Sequence, residues 1–215
     1  MRIVLRPVAS PLPLAFAAFG IGSCVFALQQ LGVIAVDEAP SVTLLLVVFL
    51  APLQLIAAIY AFWSRETLAA TGLAILAFSW PASFAVSQGL PPGATSPVLG
   101  CFYLTLAGFL LLLSAPGLVG KPLIGSLIVV AAARFLLSGL FQLTDTVGTE
   151  RAAGVLGLVI TAIGAYGALA LGLEDVKHKT VLPVGRRGEA KLAFEGDLGE
   201  QMEPLQHEAG VRRQL

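Results

Sequence analysis

Across its 215 residues the chain is 57% hydrophobic and only 12% charged, and 13 acidic and 13 basic side chains balance to a formal charge of zero. A soluble domain carries roughly 25% charged residues to keep its surface wet, so a soluble fold is excluded. A neutral chain without a basic, aromatic-rich surface also gives no footing for nucleic acid.

A helix needs about 20 apolar residues to cross the hydrocarbon of a bilayer. Six runs free of Asp, Glu and Lys meet that length, at about 12–31, 41–62, 67–86, 98–118, 123–143 and 153–173. The expected fold class is therefore an all-α integral membrane protein, with a six-helix transmembrane domain over 1–173. Residues 44–50 are continuously apolar, whereas outer-membrane strands alternate in roughly ten-residue segments. The many Gly, Ala and Ser residues in the spans suit helix backbones that approach closely in lipid.

Lys and Arg in short loops orient such a chain. Arg2, Arg6, Arg65, Lys121, Lys177, Lys179, Arg186 and Arg187 fall on one side and only Arg151 on the other, which predicts both termini in the cytoplasm of a multi-pass protein of the cell membrane. Arg2 and Arg6 before an apolar run also admit a secretory signal peptide, but the run is long for one and Val36, Asp37 and Glu38 follow it without a small-residue cleavage site. Cys24 and Cys101 sit in apolar runs as small packing residues. From 174 to 215 the composition turns to mixed charge with little hydrophobicity, the mark of a cytoplasmic tail without a core of its own.

In chain order, the first span opens on Ser10, Pro11, Leu12, Pro13 and Leu14. Proline suits a first helical turn, Ser10 is a candidate N-cap, and the free N–H groups of such a turn attract anions; a plain helix start explains the same residues. Gln29 and Gln30 close that span, where interfacial solvation accounts for them. Gln54 follows Pro52 inside the second span and suits either a solute pathway or a helix-to-helix bond. Arg134 falls near the middle of the fifth span. There an Arg costs around 2.5 to 3.5 kcal/mol on insertion scales, so it must face a wet cavity, a polar partner or an anion. No Asp or Glu lies within a run to neutralise it. An anion in a pathway explains Arg134, and so do backbone carbonyls, Gln142 or a neighbouring subunit.

Enzyme chemistry finds no footing. There is no His, Cys and carboxylate cluster at metal spacing, no Gly-rich phosphate loop and no nucleophile–base pair, and no cofactor is implied. His178 and His207 both lie in the tail, where Glu203 and Glu208 read as a solvated face.

Residues 10–20, SPLPLAFAAFG, resemble the NPAPLGLxxFG signature of the acetate/succinate permease (acetate uptake transporter) family, with Ser10 for Asn and Ala15 for Gly. Residues 180–185, TVLPVG, are similar to the TVLPIG that follows its last helix, and Gln54, Thr67, Thr71 and Trp80 fall at comparable spacings. The resemblance, over about 8–188, implies a homo-hexamer of six-helix protomers, each with its own path for a small carboxylate such as acetate or succinate. It also implies a narrowing at a Phe, a Tyr and a Leu. Phe19 matches the first, and ungapped alignment places the others on Leu76 and Ala131, a wider and less polar constriction. The family's NLHN becomes Ala27, Leu28, Gln29 and Gln30, the acidic residue late in its second span becomes Ala61, and Arg134 replaces an apolar position.

With no Asp, Glu or His in the runs the usual proton-relay groups are missing, while a carboxylic acid can carry its own proton. The expectation is a channel-like or proton-linked path, with Ser10, Pro11 and Pro13 at a helix-start mouth, Arg134 gathering the anion, Gln54 beside the path and Phe19 as a desolvating gate. A channel for neutral urea, amide or ammonia, and a scaffold acting through the 174–215 tail, are the competing readings.

Overall fold

The computed structural model describes residues 9–188, 190, 191, 196 and 199. Six helices are long and apolar enough to cross a membrane: α1 Leu12–Gln30, α2 Val36–Trp63, α3 Thr67–Ser87, α4 Pro97–Gly120, α5 Pro122–Thr144 and α6 Val147–Lys177. Even the shortest, 19 residues, reaches roughly 28 Å at 1.5 Å per residue, about the thickness of the hydrocarbon. Large apolar side chains cover the outside, with Val48, Trp63, Leu112 and Val119 each about two-thirds exposed or more. Inside, buried Ala and Ser residues stand among Leu, Ile and aromatic side chains. This is the inverse of a soluble core and makes the chain a multi-pass membrane protein.

The helices run past the apolar runs that predict them. α2 begins five residues early with a 3-10 turn at Val36–Glu38, and α6 extends over 147–177 and so takes in Glu150, Arg151 and Glu174. Charge ends a hydrophobic run, whereas backbone hydrogen bonding ends a helix, and the two need not coincide. Within α2 a π-turn at Leu46–Leu50 stands immediately before Pro52, whose ring excludes the regular bond to the preceding turn. Ser10 is not the N-cap of α1. Pro11 takes that place with helical dihedrals, and Ser10, exposed, only accepts a long 3.4 Å bond from the Leu12 N–H.

Two antiparallel pairs form the body. α1 lies on α6 through glycine: the Cβ that Gly164 lacks would stand 2.8 Å from the Gly20 Cα, and Thr161 Oγ1 donates to the Gly20 carbonyl at 3.1 Å. α4 lies on α5 in the same way, where a Cβ on Gly125 would collide with the Leu118 amide. Such small-residue contacts replace the hydrophobic drive that lipid cannot supply.

At the end that holds the α1 start and the α4–α5 turn, the chain after α6 folds back. Arg186 grips Glu174 with two bonds of 2.7 and 2.5 Å, Tyr166 donates to the Pro183 carbonyl at 2.7 Å, and the Arg187 amide donates to Gly120 at 3.0 Å. Val184 is buried there. Lys121 pairs with Glu66 on the same end. Glu203, His207 and Glu208, read as tail residues, lie outside the described residues.

Candidate functional site

Arg134 sits midway along α5 and is 5% exposed. Its partner is Gln30, the last residue of α1. Gln30 Oε1 accepts from Nη2 at 2.8 Å and from Nε at 3.3 Å, and Gln30 Nε2 donates to Ser138 Oγ at 3.2 Å. The guanidinium also stands over the Phe26 ring, 4.9 Å from its centroid, a cation–π contact that strengthens when desolvated. Gly157 of α6 provides the room, because a Cβ there would lie 2.8 Å from Arg134 Cζ.

This arrangement corrects two expectations. Gln30 is not an interfacial residue held by solvation; it is 6% exposed and ties α1 to α5. Gln142 does not reach Arg134, since its Oε1 accepts from the Ser96 amide at 2.7 Å. Among the described residues no carboxylate pairs with Arg134. A neutral amide therefore holds the Nε and Nη2 edge of the guanidinium and leaves its charge in place. Nη1 makes no hydrogen bond among the described residues.

Arg134 lines a small cavity of ≈ 10 Å³ together with Ser83, Tyr103, Ser138, Trp80 and Phe135, about the room one water needs. Tyr103 packs there against Phe135, with ring centroids 5.6 Å apart. The Ser79 and Ser83 hydroxyls donate to the carbonyls of Leu76 and Ser79. Ser138 accepts from Gln30, so its own hydrogen is available to a guest. This polar cavity thus offers one permanent cation and a hydroxyl donor one helical turn along α5.

A second cavity, ≈ 50 Å³, lies toward the α1 start and carries no polar side chain; Leu12, Phe16, Leu73, Leu110, Ile124 and Ile128 are among its walls. Phe19 and Ala131 line both cavities. Leu76 lines the apolar one, and Ser79 and Trp80, one turn further along α3, line the polar one. Phe19, Leu76 and Ala131 are all buried, and all three line the apolar cavity, on the side where Phe19 and Ala131 also face the polar one.

The other candidates lie off this line. Ser10, Pro11 and Pro13 line neither cavity, although Leu12 between them does. Gln54 lines neither as well; fully buried, it accepts from Trp80 Nε1 at 2.8 Å and so bonds α2 to α3, while its Nε2 has no partner among the described residues. Gln54 thus touches the path only through Trp80. Cys24 and Cys101 are unpaired, and Cys101 faces outward. Among the described residues no three His, Cys, Asp or Glu side chains gather to hold a metal.

The sequence reading missed Tyr103, Phe26 and Ser138. Ser138 had a signal, four residues after Arg134 and so on the same helix face. Tyr103 and Phe26 had none beyond being aromatics in a span, where packing explains them equally.

No family model matches the chain, and no curated protein matches it by sequence. A solved structure does. The bacterial acetate channel SatP superposes with a TM-score of 0.74 at 21% sequence identity, covering 83% of this chain and 99% of that one. The segments 10–20 and 180–185 point toward the same kind of protein, and the chain has the fold of that acetate channel.

Proposed function

We propose that the chain is a cell-membrane path for acetate or a similarly small carboxylate, running through each protomer of a homo-hexamer whose termini face the cytoplasm. One observation carries the reading: Arg134 is buried, held by a neutral amide, and lines a cavity with Nη1 unengaged. A fully desolvated, unneutralised guanidinium is expensive unless an anion completes it, and two-point hydrogen bonding to a carboxylate is what its planar fork suits. Ser138 can supply a further hydrogen bond.

From there a carboxylate meets Phe19, Leu76 and Ala131 and then an all-apolar cavity. An unpaired carboxylate is strongly disfavoured in such walls, so the acid crosses them with its own proton aboard and needs no relay from the protein. Phe19 acts as the desolvating gate between the two environments. Gln54 supports the path by fixing Trp80, and Ser10, Pro11 and Pro13 set the α1 start at its cytoplasmic end. The likeness to an acetate channel supports the solute class.

The test is uptake of labelled acetate into proteoliposomes, with urea as a competitor. Saturable uptake that falls at least about tenfold in Arg134→Gln is expected, because a charge-assisted hydrogen bond contributes roughly 1.5–3 kcal/mol. Uptake equal to wild type in that variant removes the role of Arg134, and urea flux without acetate flux replaces the carboxylate reading with a neutral-solute one.

A further inference from the structure

Resting on the carboxylate reading, we infer that the two cavities form a single head-and-tail site that selects aliphatic monocarboxylates longer than acetate and rejects dicarboxylates. The head end is the polar cavity, where Arg134 Nη1 and the Ser138 hydroxyl face a space of about one water, which its walls widen to admit one carboxylate. Among the described residues, Arg134 is the one charged residue lining either cavity. A second anionic group on the same molecule has no cation to meet.

The tail end is the apolar cavity. Its volume is ≈ 50 Å³ against ≈ 10 Å³ for the head end, and among the described residues it is bounded by Leu, Ile, Phe, Ala and Gly alone. The two spaces share Phe19 and Ala131 as lining residues, so a chain attached to a carboxylate at Arg134 enters the apolar cavity past these two side chains, with Phe19 giving way. Ala131 matters here through its size, since a larger residue at the junction would close that way. Acetate ends at the junction with its one methyl group. Each further methylene that passes Ala131 leaves water for apolar walls, a gain that corresponds to roughly fourfold in affinity per group.

Butyrate and succinate make a matched pair, four carbons each, differing by a methyl group against a second carboxylate. In the tail cavity that carboxylate faces no donor, and its desolvation predicts a preference for butyrate on the order of a hundredfold. Selectivity is therefore set by where the one cation lies along the path and by the absence of polar side chains beyond it.

The experiment is competition against labelled acetate uptake in proteoliposomes by unlabelled acetate, propionate, butyrate and succinate. Alongside it runs protection of the detergent-purified protein against thermal unfolding by the same acids. Inhibition that strengthens from acetate to butyrate, with succinate far weaker, is expected, and Ala131→Leu should collapse the ratio of butyrate to acetate inhibition. Saturable acetate uptake with succinate competing as well as butyrate overturns the head-and-tail site and leaves the carboxylate path standing. Heat protection by butyrate but not succinate, without any uptake, upholds the site and removes transport. Neither uptake nor protection overturns both.

Discussion

The two cavities share walls from α1, α3, α4 and α5 yet differ in kind. Around Arg134, four residues from three helices settle one charge: Gln30 and Phe26 from α1 by contact, Gly157 from α6 by the room it leaves, and Ser138 one turn along α5 by holding Gln30. Toward the α1 start, the same α1 and α5 offer only Leu12, Phe16, Ile124, Ile128 and their like. The boundary is Phe19 and Ala131, present on both sides. The contrast teaches that selectivity in this chain is a matter of position along the helices. On the proposed reading, a single cation divides the path into a stretch that holds an anion and a stretch that repels it.

The strongest way to break that contrast is to neutralise the cation without removing it. Gln30→Glu places a carboxylate on the Nε and Nη2 edge that the amide now occupies. The new pair becomes a resident counterion, and anion uptake should fall about a hundredfold, the scale of one or two charge-assisted hydrogen bonds. The fold should persist, because the partners stay bonded. Uptake assays and a melting curve on the same preparation check both halves, and wild-type uptake from Gln30→Glu would show that the guanidinium's charge is not what the solute meets.

Gly157→Ala tests the contrast more gently. Its Cβ would meet Arg134 Cζ and the Ala27 Cβ at 2.8 Å, and the guanidinium, at the far end of a flexible side chain, is the group that can yield. The expected result is a loss of about tenfold in uptake, since one displaced charged hydrogen bond corresponds to roughly that factor, with some loss of stability besides, because the Ala27 Cβ is fixed to the α1 backbone. Gly164→Ala is the companion on the same helix. There the Cβ would strike the Gly20 Cα and the Phe16 carbonyl at 2.8 Å, which are backbone and cannot swing away. Destabilisation of about 1–3 kcal/mol, read as a lowered melting temperature, is expected instead. If Gly157→Ala lowers the melting temperature as Gly164→Ala does and leaves uptake at the wild-type level, Gly157 serves helix packing and not the guanidinium.

How much of this the sequence revealed follows from the kind of information each residue carries. The six helices were legible because apolar length is a property of a contiguous run, and Arg134 stood out because a buried charge is costly whatever surrounds it. Phe19, Leu76 and Ala131 were placed by resemblance, and the fold brings all three to the apolar cavity. The partner of Arg134 was not legible. Gln30 lies 104 residues away, and a glutamine at the end of an apolar run looks the same whether it meets water or a guanidinium. The course of the chain after α6 was hidden for a related reason: Glu174 and Arg186 read as solvated tail charges until the return of 180–188 pairs them.

Gln54 carries the smallest expected effect and sharpens the contrast from outside the path. Its Oε1 holds the Trp80 indole, while its Nε2 is buried without a partner among the described residues. Gln54→Leu removes both features together. The indole N–H loses its acceptor, at about 1–3 kcal/mol, and the unpaired amide nitrogen, a cost of the same order, disappears with it. Stability should therefore stay within about 1 kcal/mol of wild type. Trp80 would remain in the polar cavity wall but no longer fixed to α2, so acetate uptake should fall only severalfold while the ordering of acetate, propionate and butyrate, set by the apolar cavity, survives. Should that ordering change in Gln54→Leu with stability intact, the Trp80 wall shapes the tail end as well, and the two cavities are less independent than their lining residues make them.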